Sequence, residues 1–174
     1  MNSIVFAGGC FWGVQHYLKM VKGVTNTLVG YTAGRITFPT YQAVCSGETG
    51  HTEAVKVDYD PTKTNLLILL EHFFNIIDPT TLNRQGPDVG TQYRTGIYYY
   101  EDSDKDLIYK YIDSIKDNYS NPIVVEVAKA SEFWEGEDYH QDYLETNMGG
   151  YCHIPKLKYK CIDKIDELAR AKYI

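Results

Sequence analysis

Apolar segments along this chain run in the order strand, helix, strand, strand, helix, strand, which predicts an α+β fold with a ferredoxin-like β-α-β-β-α-β core in two layers. Three observations carry the prediction: alternation of period two in some segments, helical spacing of 3.6 in others, and glycine or proline between them. Ser3 to Ala7 is a short apolar run stopped by Gly8-Gly9 and reads as a buried strand. Phe11, Val14, Leu18 and Val21 then recur at helical spacing until Gly23. Val24 to Tyr31 and Thr52 to Tyr59 alternate, the second with Val55, Val57 and Tyr59 on one face and Lys56 and Asp58 on the other. Thr64 to Ile77, after Pro61, is helical, with Leu66, Leu69, Leu70 and Phe73 on its apolar face. Ile97 to Tyr100 is the fourth strand. An extra helix over Ser103 to Tyr119 and an extra strand over Ile123 to Ala128 follow. We expect a single domain over residues 1–174, its core about 1–130 and its irregular C-terminal segment about 131–174.

Composition excludes several functional classes. Apolar residues at 44% and charged ones at 23% rule out a disordered or collagen-like chain. The 17 Lys and Arg against 23 Asp and Glu leave a net charge of −6, with no basic footprint for nucleic acid or an anionic membrane. The longest fully aliphatic run, Leu66 to Leu70, is far below the roughly 20 residues of a spanning helix. Met1 to Ala7 has no basic stretch and meets Gly8-Gly9 too soon for a secretory signal, so the expected location is cytoplasmic. In that reducing compartment the 4 cysteines are expected to be catalytic, redox-active or buried rather than structural disulfides. The 16 tyrosines are an excess that points to binding.

In the expected topology the first strand pairs antiparallel with the third and fourth. Its C-terminal end therefore meets four distant segments: Cys10, the loop Thr32 to His51, Glu53, and Asn83 to Arg94. Cys10 stands between a strand and a helix, where unpaired N–H groups and the helix dipole favour a thiolate nucleophile. A packing role is the plain alternative for any cysteine. Gly8-Gly9, which permits close approach, and the adjoining Phe11-Trp12 favour chemistry. Glu53 shares the face of Val55, Val57 and Tyr59, so its carboxyl points inward, where desolvation keeps it protonated near neutrality and able to donate. Tyr41, Asp88 and Tyr93 are sent to the same edge, with phenols to donate hydrogen bonds and rings that, with Phe11 and Trp12, wall an apolar pocket.

Cys152, in Gly149-Gly150-Tyr151-Cys152, lies on flexible backbone that can bring a second thiol to Cys10 for disulfide exchange. Cys161 precedes Ile162, Ile165, Leu168 and Ala169, a helical spacing that makes packing an equal reading for it. Cys45 reads as structural. No Cys-x-x-Cys, His-x-x-x-His or His-Glu-x-x-His spacing occurs, so no metal is expected. Cys10 with His51 or His140 leaves a Cys–His acyl-transfer enzyme open, and the aromatic pocket alone leaves open a non-catalytic module for methionine-containing peptides.

Gly9-Cys10-Phe11-Trp12-Gly13 resembles the signature of the A-type peptide-methionine sulfoxide reductases. The resemblance continues in Pro39-Thr40-Tyr41, Val44-Cys45-Ser46-Gly47 and Thr49-Gly50-His51-Thr52-Glu53, then in Asp78-Pro79-Thr80, Arg84-Gln85-Gly86 and Gly90-Thr91-Gln92-Tyr93-Arg94. It ends in Tyr139-His140-Gln141 and Gly150-Tyr151-Cys152. It implies a cofactor-free enzyme that reduces the S epimer of methionine sulfoxide, free or in proteins. By motif, Cys10 attacks the sulfoxide sulfur, and Glu53 with Tyr41 and Tyr93 protonates or holds the departing oxygen. Phe11 and Trp12 hold the methyl group, and Asp88 orders water or the substrate backbone. Cys152 then resolves the Cys10 sulfenic acid to a disulfide that thioredoxin reopens, and Cys161 is a second relay candidate. The chain departs from the family pattern at Ala33-Gly34, Thr52 and Ile77. Its tail differs most, with His153-Ile154-Pro155-Lys156-Leu157-Lys158-Tyr159-Lys160 in place of a glycine-rich span before Cys161.

Overall fold

The computed structural model describes residues 1–174. Its elements are β1 (Asn2–Ala7), α1 (Phe11–Lys19), β2 (Val24–Thr32), α2 (Tyr41–Cys45), β3 (Thr52–Tyr59), α3 (Leu66–Ile76), β4 (Arg84–Gln85), β5 (Asp88–Val89), β6 (Gly96–Tyr99), α4 (Asp102–Ile115), β7 (Glu126–Lys129), β8 (Trp134–Glu135), α5 (Tyr143–Thr146), α6 (Lys156–Lys160) and α7 (Ile162–Tyr173). A six-stranded sheet has the order β7-β6-β1-β3-β2-β8, and β4 pairs with β5 separately. The inner four strands, β6-β1-β3-β2, are antiparallel throughout, as the split unit requires. The sheet is wider than that unit: β7 joins parallel to β6 and β8 joins antiparallel to β2. No helix is long and apolar enough to cross a membrane.

Element ends are set by local chemistry that apolar spacing does not register. α1 stops at Lys19 rather than Gly23, because the chain turns through Gly23 at φ +92° to enter β2. α3 begins at Leu66 because Asn65 is its cap, its side-chain oxygen accepting from Ile68 N–H at 3.0 Å. The strand expected from Ile123 pairs only from Glu126, since Val124 N–H goes to Pro79 O at 2.8 Å instead of to the sheet. The C-terminal segment carries more regular structure than expected: β8 extends the sheet and the 12-residue α7 packs along α3.

A cluster of 27 buried side chains fills the space between one face of the sheet and α1, α3 and α4. Phe6 and Phe73 stack there with centroids 4.6 Å apart, and burial of each stabilises by about 2–3 kcal/mol. On the opposite face Val5, Ala7, Ala54 and Tyr98 lie under Ala128, Ala130 and Phe133. β1 pairs with β3 from Asn2↔Tyr59 to Phe6↔Val55. Continued past its end, that register sets Glu53 opposite Gly8, beside the turn that carries Cys10.

Candidate active site

Cys10 is the residue before α1 and is buried, at 6% exposure. Two effects act in opposite directions on the Cys10 thiolate expected at the helix N-terminus. A backbone hydrogen bond from Trp12 does favour the anion. Burial, then the charges of Glu53, Asp88 and Cys152, outweigh it and push the Cys10 thiol far above its ordinary range. Two glycines near Cys10 are closely approached by other side chains. Gly9 has φ +87°, and a Cβ on it would come within 2.8 Å of Gln85 and 2.9 Å of His153. A Cβ on Gly13 would come within 2.9 Å of Cys152 Sγ.

Glu53 is fully buried on the helix side of β3, as its pleat position predicts. Its Oε1 accepts from Phe11 N–H at 3.2 Å, while Oε2 is buried with no partner. Burial lifts its pKa to about 8, the Phe11 hydrogen bond opposes that, and the Asp88 charge adds to it. A carboxyl group neutral at pH 7, with one free oxygen inside the protein, is a proton donor waiting for an acceptor.

Phe11, Trp12 and Tyr41 share an aromatic cluster with residues that sequence reasoning did not place there. Phe11 lies 5.6 Å from Tyr31 and 6.2 Å from Tyr41 between ring centroids. Trp12 stacks on Tyr143 at 3.8 Å. The Trp12 indole N–H donates to His140 Nδ1 at 2.9 Å, and the His140 ring lies 4.3 Å from that of Tyr41. Glu137 accepts from the Tyr31 hydroxyl at 2.7 Å and from Tyr41 N–H at 3.0 Å, and so fixes the start of α2. Although burial works against its charge, these hydrogen bonds hold Glu137 below the usual carboxylate range.

The hydrogen bonds of the two histidines bear on the acyl-transfer alternative: with His140 Nδ1 accepting from Trp12, its neutral ring carries the proton on the unpartnered Nε2 and has no acceptor left for a Cys10 proton. His140 is engaged by Trp12. His51 accepts from Gly34 N–H at 3.2 Å, and its other ring nitrogen meets Ile36 O at 2.6 Å, which pins the long loop. No group of three or more His, Cys, Asp or Glu side chains is placed to hold a metal ion.

Asp88, in the short hairpin, accepts from the Tyr151 hydroxyl at 2.9 Å. Tyr93 is half-buried, and burial followed by the Glu53 charge raises its phenol. The Thr52 hydroxyl lies 3.1 Å from both Gln92 O and Arg94 O, binding the Tyr93 segment to the start of β3. Cys152 packs against the first turn of α1, its Sγ within 2.9 Å of where a Cβ on Gly13 would stand, three residues after Cys10. His153 has one ring nitrogen 2.9 Å from Gly8 O. Cys161 is half-buried at the junction of α6 and α7, on the side of Tyr17, whose phenol is raised first by burial. Tyr17 stands roughly 10 Å along α1 from Cys10 by helix rise. Cys45 is half-buried, and burial, opposed by the Tyr41 phenol one turn away, raises its thiol.

The family model for peptide methionine sulfoxide reductase matches residues 2–169. "Peptide methionine sulfoxide reductase MsrA" of Alkaliphilus metalliredigens is 51% identical over 154 residues, 88% of this chain and 98% of that one. The solved structure of methionine sulfoxide reductase A of Corynebacterium diphtheriae superposes with a TM-score of 0.84 at 32% identity, covering 89% of this chain and 83% of that one. Mxr1 from Saccharomyces cerevisiae in complex with Trx2 gives a TM-score of 0.57 at 25% identity, covering 82% and 84%.

Proposed function

Because this chain belongs to the peptide methionine sulfoxide reductase family, we propose that Cys10 and Glu53 are the two groups that remove the sulfoxide oxygen. The enzyme reduces methionine sulfoxide to methionine at the expense of thiols, with a thioredoxin as reductant. The single observation that carries the assignment is Glu53: a buried carboxyl, neutral at pH 7, with one oxygen unpartnered beside a buried thiol.

Cys10 sulfur attacks the sulfoxide sulfur while Glu53 donates its proton to the sulfoxide oxygen. The oxygen ends as the hydroxyl of a Cys10 sulfenic acid, methionine leaves, and the proton lost by the Cys10 thiol restores Glu53. With Glu53 neutral, one of the charges that opposes a Cys10 thiolate is absent. Tyr41 and Tyr93, whose phenols are raised by burial and then by Glu53, stay protonated and donate to the same oxygen. Phe11 and Trp12 receive the methyl group, with His140 holding the indole. Asp88 orders the substrate backbone or water. Cys152 attacks the sulfenic acid, water leaves, and the reductant opens the disulfide; the position of Cys161 beside Tyr17 supports a packing role for it. The pocket is chiral, and the S epimer is the substrate. Residues 1–174 act as one unit in the cytoplasm, without a cofactor.

The test incubates the protein with dithiothreitol and each epimer of a blocked methionine sulfoxide, for wild type, Cys10→Ser and Cys152→Ser. Methionine forms from the S epimer alone and is lost with Cys10→Ser. It persists with Cys152→Ser under dithiothreitol but not under thioredoxin. Methionine made by folded Cys10→Ser overturns the assignment.

A further inference from the structure

The Tyr159 hydroxyl lies 3.3 Å from Cys152 Sγ and 3.3 Å from Gly13 O, so it bridges the proposed resolving thiol to the helix that Cys10 precedes. Its ring is half-buried, with centroids 5.4 Å from His16 and 5.7 Å from Tyr17. The thiol has one other polar neighbour, Ile154 O at 3.6 Å. Tyr159 stands in the stiff lysine-rich span where the family pattern is glycine-rich, on the short helix α6 that Pro155 opens.

A phenol has one hydrogen to donate, and here two acceptors compete for it. While Cys152 is a thiol, the hydroxyl donates to Gly13 O, and the S–H is shared between Tyr159 Oη and Ile154 O. Once the thiol loses its proton, the phenol hydrogen turns to the sulfur, because a hydrogen bond to an anion is about twice as strong as one to a neutral carbonyl. Burial and the Cys152 hydrogen bond keep the phenol itself protonated. We propose that Tyr159 is a catalytic residue of the disulfide-forming step, its hydroxyl stabilising Cys152 as the thiolate that attacks the Cys10 sulfenic acid. The assignment rests on the reading of Cys152 as the resolving thiol. In the step, Cys152 gives up its proton and its sulfur bonds to Cys10 sulfur. The S–O bond breaks, and the departing hydroxide takes a proton to leave as water. Cys152 is oxidised and the sulfenic sulfur reduced, with no outside reagent. When the thiolate has been consumed, the phenol returns to Gly13 O.

A single-turnover experiment without added reductant reads both steps. Wild type, Tyr159→Phe and Cys152→Ser are mixed with the S epimer of a blocked methionine sulfoxide. Methionine is followed by chromatography and the Cys10–Cys152 disulfide by mass spectrometry. Phenylalanine keeps the ring packing, and the methionine formed reports a folded pocket. The ratio of the disulfide rate to the methionine rate is expected to fall about tenfold in Tyr159→Phe at pH 7. The deficit narrows as pH rises, because hydroxide then removes the thiol proton. An unchanged ratio at every pH overturns the role of Tyr159 while leaving Cys152 as the resolving thiol. Loss of both rates together also overturns it, by making Tyr159 a packing residue. No Cys10–Cys152 disulfide in wild type removes the reading of Cys152 itself.

Discussion

Replacing Glu53 with glutamine separates the cost of a buried acid from its use. Both carboxyl oxygens are out of water, one held by Phe11 N–H and the other without a partner, and the pKa rises from 4.5 to about 8. Below pH 4.5 the group is protonated in folded and unfolded chains alike, and its contribution to stability is fully present. As pH rises towards 8 the unfolded chain releases the proton and the folded one keeps it, so stability is lost; above about 8 the loss is complete. Each pH unit in that window is about 1.4 kcal/mol, which comes to about 3 kcal/mol by pH 7. Glutamine has nearly the same shape, accepts from Phe11 N–H and does not titrate. Urea unfolding of Glu53→Gln and wild type at pH 5, 6, 7 and 8 should show the variant gaining on the wild type with every unit, to about 3 kcal/mol at pH 7. Its turnover should fall about 100- to 10,000-fold, since an amide cannot give up a proton. Parallel stability curves between pH 5 and 8 would refute a buried, neutral Glu53.

Gly13→Ala sets a methyl group within 2.9 Å of Cys152 Sγ, and it should slow Cys10–Cys152 disulfide formation while dithiothreitol-driven methionine production continues; mass spectrometry of the oxidised protein decides. Glu137→Gln leaves one acceptor for the two donors on Tyr31 and Tyr41 N–H, so a loss of about 1–3 kcal/mol and a raised KM are expected, measurable by denaturation and steady-state kinetics. Ala33 has φ +63°, a conformation that strains any residue with a Cβ, and Ala33→Gly should raise stability by about 0.5 kcal/mol despite the looser unfolded chain. His72 is fully buried, and burial, opposed by Asp166, depresses its pKa below 6.5. Its contribution is present above pH 6.5 and is lost as pH falls, so a His72→Asn variant should show a flatter stability profile between pH 7 and 5.

The inner sheet was legible in the sequence because period-two alternation decides which face a side chain occupies. Glu53 therefore pointed inward on the strength of Val55, Val57 and Tyr59 alone. Gly8-Gly9 and Pro61 marked where elements stop and start through their own backbone limits. The strand over Ile123 to Ala128 was legible as β7 apart from its ends, whereas the two-residue β8 was not, since its pairing depends on where the chain re-enters the sheet and not on local spacing. Glu137 had no signal of its own, and nothing in the sequence tied His140 to Trp12. Their partners Tyr31 and Trp12 are 106 and 128 residues away, and no periodicity spans such a separation.

By itself the sequence determined which chemistry the chain carries: a cysteine after two glycines, an inward glutamate, tyrosines in the loops that the topology gathers, and a second cysteine in the tail. Those are matters of residue type and strand parity, which are local. The tertiary structure decided how far the Cys10 thiol is desolvated. A helix N-terminus favours a thiolate at Cys10, but burial works against that preference. The loss of water around a side chain comes from everything packed on it at once, and only the folded chain brings those groups together.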